Sequence, residues 1–223
     1  MLTAENFQFL KDLKQNNDRE WMTENKTRYQ ANEKRLKAFY AKLGEELERV
    51  DVIEKQKVFR INRDIRFSKD KTPYNVHRSV YFSREGAHRR GGYYLRIEPA
   101  RTYLAGGFFQ PEREDLFRIR KEFELDAEPF RKILAQPKFN KAFGGLNTED
   151  QVKTAPKGFS REDPNIDLIR NKNFFVSHKF EDYEVLRPDF HKQVVAQYQL
   201  MRPFFDYMSV VLTTDLNGES VLD

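Results

Sequence analysis

The sequence contains no cysteine and only one tryptophan. The lack of cysteine excludes a disulfide scaffold, a thiolate nucleophile and any cysteine-ligated metal site. It is also consistent with a protein that resides in a reducing compartment. The single tryptophan, Trp21, lies near the start of a predicted helix. At such a position an indole is far more often part of the packing than a platform for a ligand.

Long apolar stretches are also missing. No run approaches the roughly 18 apolar residues that a membrane-spanning helix needs, and the first ten residues have neither the basic nor the apolar region of a signal peptide. We therefore expect a soluble cytoplasmic protein with no membrane partner.

Known catalytic and cofactor motifs are absent as well. The sequence has no G-x-G-x-x-G, no P-loop and no G-x-S-x-G pattern, so we expect no cofactor. The histidines show no metal-ligand spacing such as H-E-x-x-H, and each is interpreted as a surface or packing residue; they are His77, His88, His178 and His191. These patterns indicate no particular reaction and leave open whether the protein is an enzyme.

Aromatic residues, in contrast, are abundant. They make up 14% of the chain, with 20 Phe, although the total hydrophobic content is only 39%. A disordered chain would lack these aromatics, so they indicate a folded protein. Because no linker and no internal repeat is visible, we predict a single domain over residues 1–223, of an oligomeric state that the sequence does not indicate.

Two long helices are predicted near the ends of the chain. Asn17, followed three residues later by Glu20, predicts an N-cap and capping box for a helix from Asp18 to about Arg49. A second helix is predicted from Arg187 to about Val211, with a kink at Pro203. Shorter helices are predicted at residues 3–13, 111–123, 127–134, 137–143 and 164–170.

Between the helices lies a run of strands, predicted at residues 58–61, 77–83, 92–98, 102–110 and 174–180. The first four follow one another through short connections, which favour antiparallel pairing. Helices, then strands, then helices is an order typical of α+β proteins. We predict a mainly antiparallel sheet covered by helices.

Positive charge is concentrated in one stretch. Residues 55–90 carry eleven Lys or Arg and three Asp or Glu, a surplus of +8, whereas the whole chain has a net charge of +5. Such a surplus suggests a polyanionic partner. The alternative is that acidic residues elsewhere, for example among residues 112–128, pair with this stretch in the fold.

The centre of this stretch is the basic segment, Arg60–Tyr74. Its arginines present planar, forked donors that match phosphate or carboxylate groups in pairs. We predict that it binds a phosphate-bearing or polycarboxylate ligand, with nucleic acid among the candidates. Lys157, between a proline and a glycine, could present a further cation and backbone N–H groups. The predicted anion-binding residues are Arg60, Arg63, Asp64, Arg66, Lys71, Tyr74 and Lys157.

Within the segment we predict a division of roles. An extended chain would place Arg63 among apolar residues, which is costly unless it is paired, so a bulge or turn is expected at residues 62–64. Arg63 is predicted to be structural, Asp64 to orient one arginine, and Arg60 and Arg66 to be available to a ligand. Two alternatives stay open: an Arg network that only supports an interaction scaffold, and a metal-assisted phosphoesterase or nuclease that uses Asp64, Asp70 or Glu98.

Aromatic and cationic residues also interleave on the predicted strands. Aromatic side chains beside cations on a sheet are typical of single-stranded nucleic-acid platforms. The alternative, that most of these rings face the core, is favoured because so many aromatics must be buried somewhere. The rings in question are Tyr81, Phe82, Tyr93 and Tyr94.

The basic segment matches the pattern R-x-x-R-D-x-R-F-x-x-x-K-x-x-Y at every specified position. This resembles the signature of a bacterial family known as domain of unknown function 2461. Residues 16–21, 92–99 and 155–159 also resemble recurrent stretches of that family, so the resemblance covers nearly the whole chain. It implies no particular activity.

Overall fold

The computed structural model describes residues 1–222 and contains a five-stranded antiparallel sheet, with helices before it, between its last two strands and after it in the chain. The strands pair in sequence order, β1-β2-β3-β4-β5. This confirms the predicted α+β class, and the short β2–β3 and β3–β4 connections are typical of antiparallel neighbours. No helix among the described residues is both long and apolar enough to cross a membrane.

The element bounds are as follows. The strands are β1 Ile53–Val58, β2 Arg78–Arg84, β3 Gly92–Ile97, β4 Thr102–Phe108 and β5 Phe174–Phe180. The helices before the sheet are α1 Ala4–Gln15, α2 Arg19–Glu24 and α3 Lys26–Glu48. Those after β4 are α4 Arg113–Leu125, α5 Glu128–Ala135, α6 Pro137–Phe143 and α7 Ile166–Ile169. After β5 come α8 Asp182–Val185, α9 Phe190–Leu200 and α10 Arg202–Thr213.

The predicted helix from Asp18 to Arg49 is two helices, α2 and α3, separated at Asn25. The Asn25 side chain donates to the Trp21 carbonyl at 3.0 Å, a local bond that competes with the helical ladder. The predicted cap was also wrong: Asp18, and not Asn17, caps α2 by accepting the Trp21 N–H at 2.8 Å. The Trp21 ring lies 5.8 Å from the Phe9 ring, so its packing role is confirmed.

The predicted helix from Arg187 to Val211 is likewise divided. Helix α9 ends at Leu200, and α10 starts at Arg202, with Pro203 in its first turn. A proline has no N–H to continue the α9 ladder, but its fixed φ suits the first turn of a new helix. The proline therefore ends one helix and starts another, where the sequence predicted a kink.

Strand β1 lies earlier than predicted, at Ile53–Val58 in place of residues 58–61. It is largely exposed and carries Lys55 and Lys57 at the sheet edge. Edge strands are often charged in this way, which blocks pairing with other molecules. The charged residues hide the alternation on which a strand prediction depends.

The chain divides into two compact units. Unit one comprises Met1–Phe82, Tyr94–Leu104 and Lys179–Ala196, and unit two comprises Ser83–Tyr93, Ala105–His178 and the chain from Gln197 onward. The single domain proposed from the sequence stays a prediction.

Each unit has a buried aromatic core. In unit one the Phe39 and Phe190 rings stack at 5.7 Å. In unit two Phe123 packs against Phe130 at 4.9 Å and against Phe174 at 5.6 Å. Aromatic pairs of this kind add stability beyond the area that they bury, so the abundant Phe residues are explained mainly by packing.

Candidate functional site: a cleft beside the basic segment

The basic segment, Arg60–Tyr74, folds back on itself as a loop within unit one. Asn62 and Tyr74 form an isolated antiparallel bridge, and Arg63 donates its backbone N–H to the Pro73 carbonyl at 2.9 Å. The bulge or turn predicted at residues 62–64 is not seen: the backbone is extended there, and the bends of the loop lie at residues 61, 66, 67 and 69. Arg63 is paired with Asp70, so the extended backbone carries no unpaired charge. The backbone bonds at the base of the loop fix its two ends together.

A distant asparagine holds one edge of this loop. The Asn17 Nδ2 donates to the Tyr74 carbonyl at 2.9 Å, and its Oδ1 accepts the Tyr74 N–H at 3.1 Å. The amide thus pairs with Tyr74 as a neighbouring strand would. The Tyr74 ring and Ile61 pack in an apolar cluster with Phe9 and Met22. Polar and apolar contacts together fix the loop against the N-terminal helices.

Arg63 is the hub of the loop's internal bonds. Its Nη1 donates to Asp70 Oδ2 at 2.6 Å and to the Thr72 carbonyl at 2.9 Å. The pKa of Asp70 is lowered to about 2, first by hydrogen bonds from Thr72 and then by Arg63. The contacts agree with the structural role predicted for Arg63. Its partner carboxylate is not buried, however, since 59% of the Asp70 side chain is exposed.

Asp64 holds a different arginine. Arg66 donates to it in a bidentate pair, Nε to Oδ1 at 3.0 Å and Nη2 to Oδ2 at 2.7 Å. These bonds, together with the nearby charge of Arg60, lower the pKa of Asp64. The pairing agrees with the prediction that Asp64 orients one arginine. Because the side chains are 76% and 46% exposed, Arg66 can exchange this partner for another anion.

The remaining predicted residues lie in different settings. The Lys71 ammonium donates to the carbonyls of Ile65 at 3.0 Å and Arg66 at 3.4 Å, so it closes the loop from within. The Tyr74 side chain is half-buried. Lys157 belongs to unit two, where it is exposed in a turn. Whether the predicted set holds an anion stays a prediction.

An open cleft of about 420 Å³ lies at the base of the loop in unit one. Arg60 is exposed at this cleft, and among residues 1–222 no hydrogen bond or ion pair of its guanidinium is described. The N–H donors of Arg60 are therefore available to a ligand, whereas those of Arg63 and Arg66 already bond to carboxylates. The cleft is lined by Phe59, Arg60, Asn62, Arg63, Asp64, Asn75, His77, Ser79 and Tyr94.

His77 contributes a neutral imidazole to the cleft. Burial, followed by the positive charges of Arg96 and Arg78, lowers its pKa to about 4. A neutral imidazole offers one donor and one acceptor, and within the described chain neither ring nitrogen has a hydrogen-bond partner. The ring is thus available to a ligand in a single charge state at neutral pH.

A buried ion pair positions the sheet side of the cleft. Arg78, on β2, donates to Glu33 on α3 through Nε at 2.5 Å and Nη2 at 2.8 Å. Its third bond runs from Nη1 to the Phe59 carbonyl at 2.7 Å. The guanidinium therefore ties helix, strand and cleft wall together. The two side chains are only 3% and 12% exposed.

The chain matches the model of a known protein family. A family model described as "Conserved hypothetical protein (DUF2461)" matches residues 5–207. The chain belongs to the DUF2461 family. No curated protein and no solved structure matches it.

The aromatic residues of this DUF2461 protein divide between core and surface. Phe82 and Tyr93 are fully buried, whereas Tyr81 and Tyr94 are half-buried. The prediction that most of these rings face the core is thus correct for two of the four. Successive residues of a strand face opposite sides of the sheet, which explains the division.

The carboxylates proposed for a metal site, Asp64, Asp70 and Glu98, do not form a metal-binding cluster. Within residues 1–222 no group of three or more His, Asp or Glu side chains could hold a metal ion. Each proposed carboxylate instead faces an arginine: Asp64 faces Arg66, Asp70 faces Arg63, and Glu98 accepts from Arg96 Nε at 2.8 Å.

Several residues that line the cleft were not predicted from the sequence. His77 was interpreted as a surface or packing histidine, and Asn75 and Ser79 were not singled out. Glu33 was also missed, because its partner Arg78 lies 45 residues away. Only the change from strand to loop near Asn62 gave a local signal that this region is unusual.

Proposed function

We propose that the protein binds a phosphate-bearing ligand in the cleft beside the basic segment, with Arg60 as its main cationic contact. The observation that carries this proposal is the exposed Arg60 guanidinium, whose donors make no hydrogen bond within residues 1–222. A guanidinium fork matches the oxygens of a phosphate or a carboxylate. Arg63, Asp64 and Lys71 then act indirectly, since their bonds shape the loop.

Apart from the Asp64 carboxylate, which is paired with Arg66, the groups near Arg60 are cationic or neutral and favour an anion. Lys57 is exposed nearby in the sequence, and its ammonium lies 5.0 Å from the centre of the Phe59 ring. His77 adds a neutral donor and acceptor, so it neither repels nor requires a charge. Concave sites with a few convergent polar groups are the usual form of small-ligand sites. A polycarboxylate also presents oxygens that accept bonds from a guanidinium, so the binding test includes one.

The alternative of a metal-assisted phosphoesterase has no comparable support, because its carboxylates face arginines. The remaining alternative, a scaffold whose arginines are all structural, predicts that Arg60 is dispensable for ligand binding. Cytoplasmic location stays a prediction of the sequence.

Nuclear magnetic resonance of the histidine rings tests the proposal. The chain has four histidines, and a His77→Gln variant assigns the relevant signal. We expect inorganic phosphate and a mononucleotide to shift the His77 signal and to raise its pKa, because a nearby anion favours the charged imidazolium. Citrate, titrated in parallel, shows whether a polycarboxylate binds as well.

Arg60→Ala should abolish these shifts, while Arg161→Ala should retain them. Arg161 is a suitable control because it is also an exposed arginine but does not line the cleft. Equal binding by the Arg60→Ala variant and the parent protein, or no response of His77 to any of the three anions, contradicts the proposal.

A further inference from the structure

We propose that the phosphate-bearing ligand is a single-stranded nucleic acid whose bases stack on a line of aromatic rings that continues from the cleft. This inference rests on the proposed function and adds the class of ligand. The line consists of Phe59, Tyr94 and Tyr103, all within unit one. It is called the aromatic line below.

The three rings are neighbours on one surface. The Phe59 and Tyr94 ring centres are 6.2 Å apart, and those of Tyr94 and Tyr103 are 5.8 Å apart. Tyr94 follows the buried Tyr93 on β3, so its side chain lies on the opposite face of the sheet from the core. Phe59 is exposed and the two tyrosines are half-buried. Ring surface is therefore accessible along the line.

Cations lie at both ends of the aromatic line. The Lys57 ammonium lies 5.0 Å from the Phe59 ring centre, and the Arg96 guanidinium, which is paired with Glu98, lies 5.9 Å from the Tyr103 ring centre. Arg60 stands in the cleft that Phe59 and Tyr94 help to line. Exposed rings that follow a positively charged path are how proteins bind single strands, since the cations contact phosphates and the rings stack with bases.

The polar groups of the cleft favour a nucleic acid over an acidic peptide. His77, Asn62 and Asn75 place donors and acceptors beside the Phe59 and Tyr94 rings. Amide and imidazole groups match the hydrogen-bonding edges of unpaired bases. An acidic peptide would use the cations but would gain little from the rings. A duplex would gain little either, because its bases are stacked on one another and unavailable.

Fluorescence anisotropy with labelled oligonucleotides of about eight nucleotides, within the usual site size of a single-strand binding fold, tests the inference. Phe59→Leu and Tyr94→Leu keep apolar volume but remove the ring. We expect each to weaken binding by roughly 5- to 150-fold. Tyr94→Phe should bind as the parent does. Tyr183→Leu is the matched control, because Tyr183 is exposed in the same unit but lies outside the cleft.

Salt dependence separates phosphate contacts from stacking. Arg60→Ala should reduce the slope of log affinity against log salt by about 0.7, the value for one phosphate of a single strand. Phe59→Leu should lower affinity at every salt concentration and leave the slope unchanged. Thermal melts of each variant establish that it is folded, and Tyr103→Leu replaces any ring variant that is not.

The possible failures are distinguishable. If a mononucleotide binds through Arg60 but an oligonucleotide binds no more tightly and the ring variants bind normally, the nucleic-acid inference is wrong and the proposed function stands. If an acidic peptide displaces the oligonucleotide at equal concentration, the ligand is a protein. If neither mononucleotide nor oligonucleotide shows Arg60-dependent binding, both proposals fail.

Discussion

Replacing Arg78 with alanine should destabilise the protein strongly, because it breaks a buried ion pair. The Arg78 side chain is 3% exposed and its partner Glu33 is 12% exposed. The substitution removes three hydrogen bonds from charged donors, two to Glu33 and one to the Phe59 carbonyl. Glu33 would be left as a carboxylate largely shielded from water and without its cation.

The expected cost follows from this burial. Breaking a buried ion pair by removing one partner typically costs about 3–5 kcal/mol, because an uncompensated charge stays in the interior. For a chain of this size, 1 kcal/mol lowers the melting temperature by about 2–4 °C. Arg78→Ala should therefore lower it by roughly 6–20 °C. The carbonyl of Phe59 also loses its donor, so the cleft wall should loosen.

Arg66→Ala is the matched control, since it removes the same side chain and the same kind of bidentate pair at an exposed position. Exposed pairs are worth about 1 kcal/mol or less, so this variant should melt within a few degrees of the parent. Differential scanning calorimetry of both variants makes the comparison. A second pair of variants, Glu33→Gln and the Arg78→Met, Glu33→Leu double replacement, tests the mechanism: the double variant should recover much of the lost stability. The reasoning is refuted if Arg78→Ala and Arg66→Ala are equally stable.

Two further predictions concern the same unit. The pKa of His77 is about 4, below its ordinary value of 6.5, so the folded state binds that proton less readily than the unfolded state. The free energy of unfolding that this pKa difference contributes is fully present above pH 6.5 and declines as the pH falls toward 4, by at most about 3 kcal/mol. Urea unfolding across this pH range should show a shallower decline for His77→Gln than for the parent protein. An identical decline in the two proteins would contradict the prediction. Asn17→Ala leaves the Tyr74 N–H and carbonyl without partners, so we expect a loss of about 1–3 kcal/mol and faster hydrogen exchange at Tyr74, whereas unchanged exchange there would show that the amide does not hold the loop.

The bounds of an element can be predicted from the sequence where neighbouring residues alone determine them. Helix α6 spans Pro137–Phe143, as predicted, because a proline suits its first turn and Gly144 ends it with a left-handed backbone, φ 69°. Strand β5 was also predicted with its correct bounds, Phe174–Phe180. The division of the long N-terminal helix at Asn25 was not predicted, since asparagine is tolerated within helices and the side-chain bond to Trp21 depends on the folded backbone.

For the candidate site, the sequence predicted side-chain roles better than partners. Arg63 is predicted to be structural, and its contacts agree with that role, but its acceptors are Asp70 and Thr72 across the loop. Such choices depend on loop geometry, which residue spacing does not determine. The polar wall that His77 and Asn75 form could not be predicted either, because it exists only when the segment folds back on itself.

The charge count illustrates why composition alone overstates the cationic surface. At least six of the eleven cations in residues 55–90 form ion pairs with carboxylates: Arg63, Arg66, Arg78, Arg84, Arg89 and Arg90. Three of the partners lie outside the stretch: Glu33, Asp206 and Asp115. The alternative that distant acidic residues neutralise this stretch is therefore correct for those three arginines.

In the described part of the chain, Arg60 is the arginine of this stretch that no carboxylate neutralises, and it is the best placed to bind an anion. A paired arginine gives up a bond to its carboxylate before it can bind a ligand, so its contribution to affinity is reduced by the exchange. Arg60 lies near the Asp64 charge, but within residues 1–222 its guanidinium forms no hydrogen bond or ion pair that a ligand would have to replace. The surplus positive charge of the stretch attracts an anion from a distance, while the cleft beside Arg60 offers donors at close range. Arg60 thus contributes both to the long-range attraction of an anion and to its recognition at close range. For this reason the Arg60→Ala variant is central to both the histidine NMR titration and the oligonucleotide binding measurement.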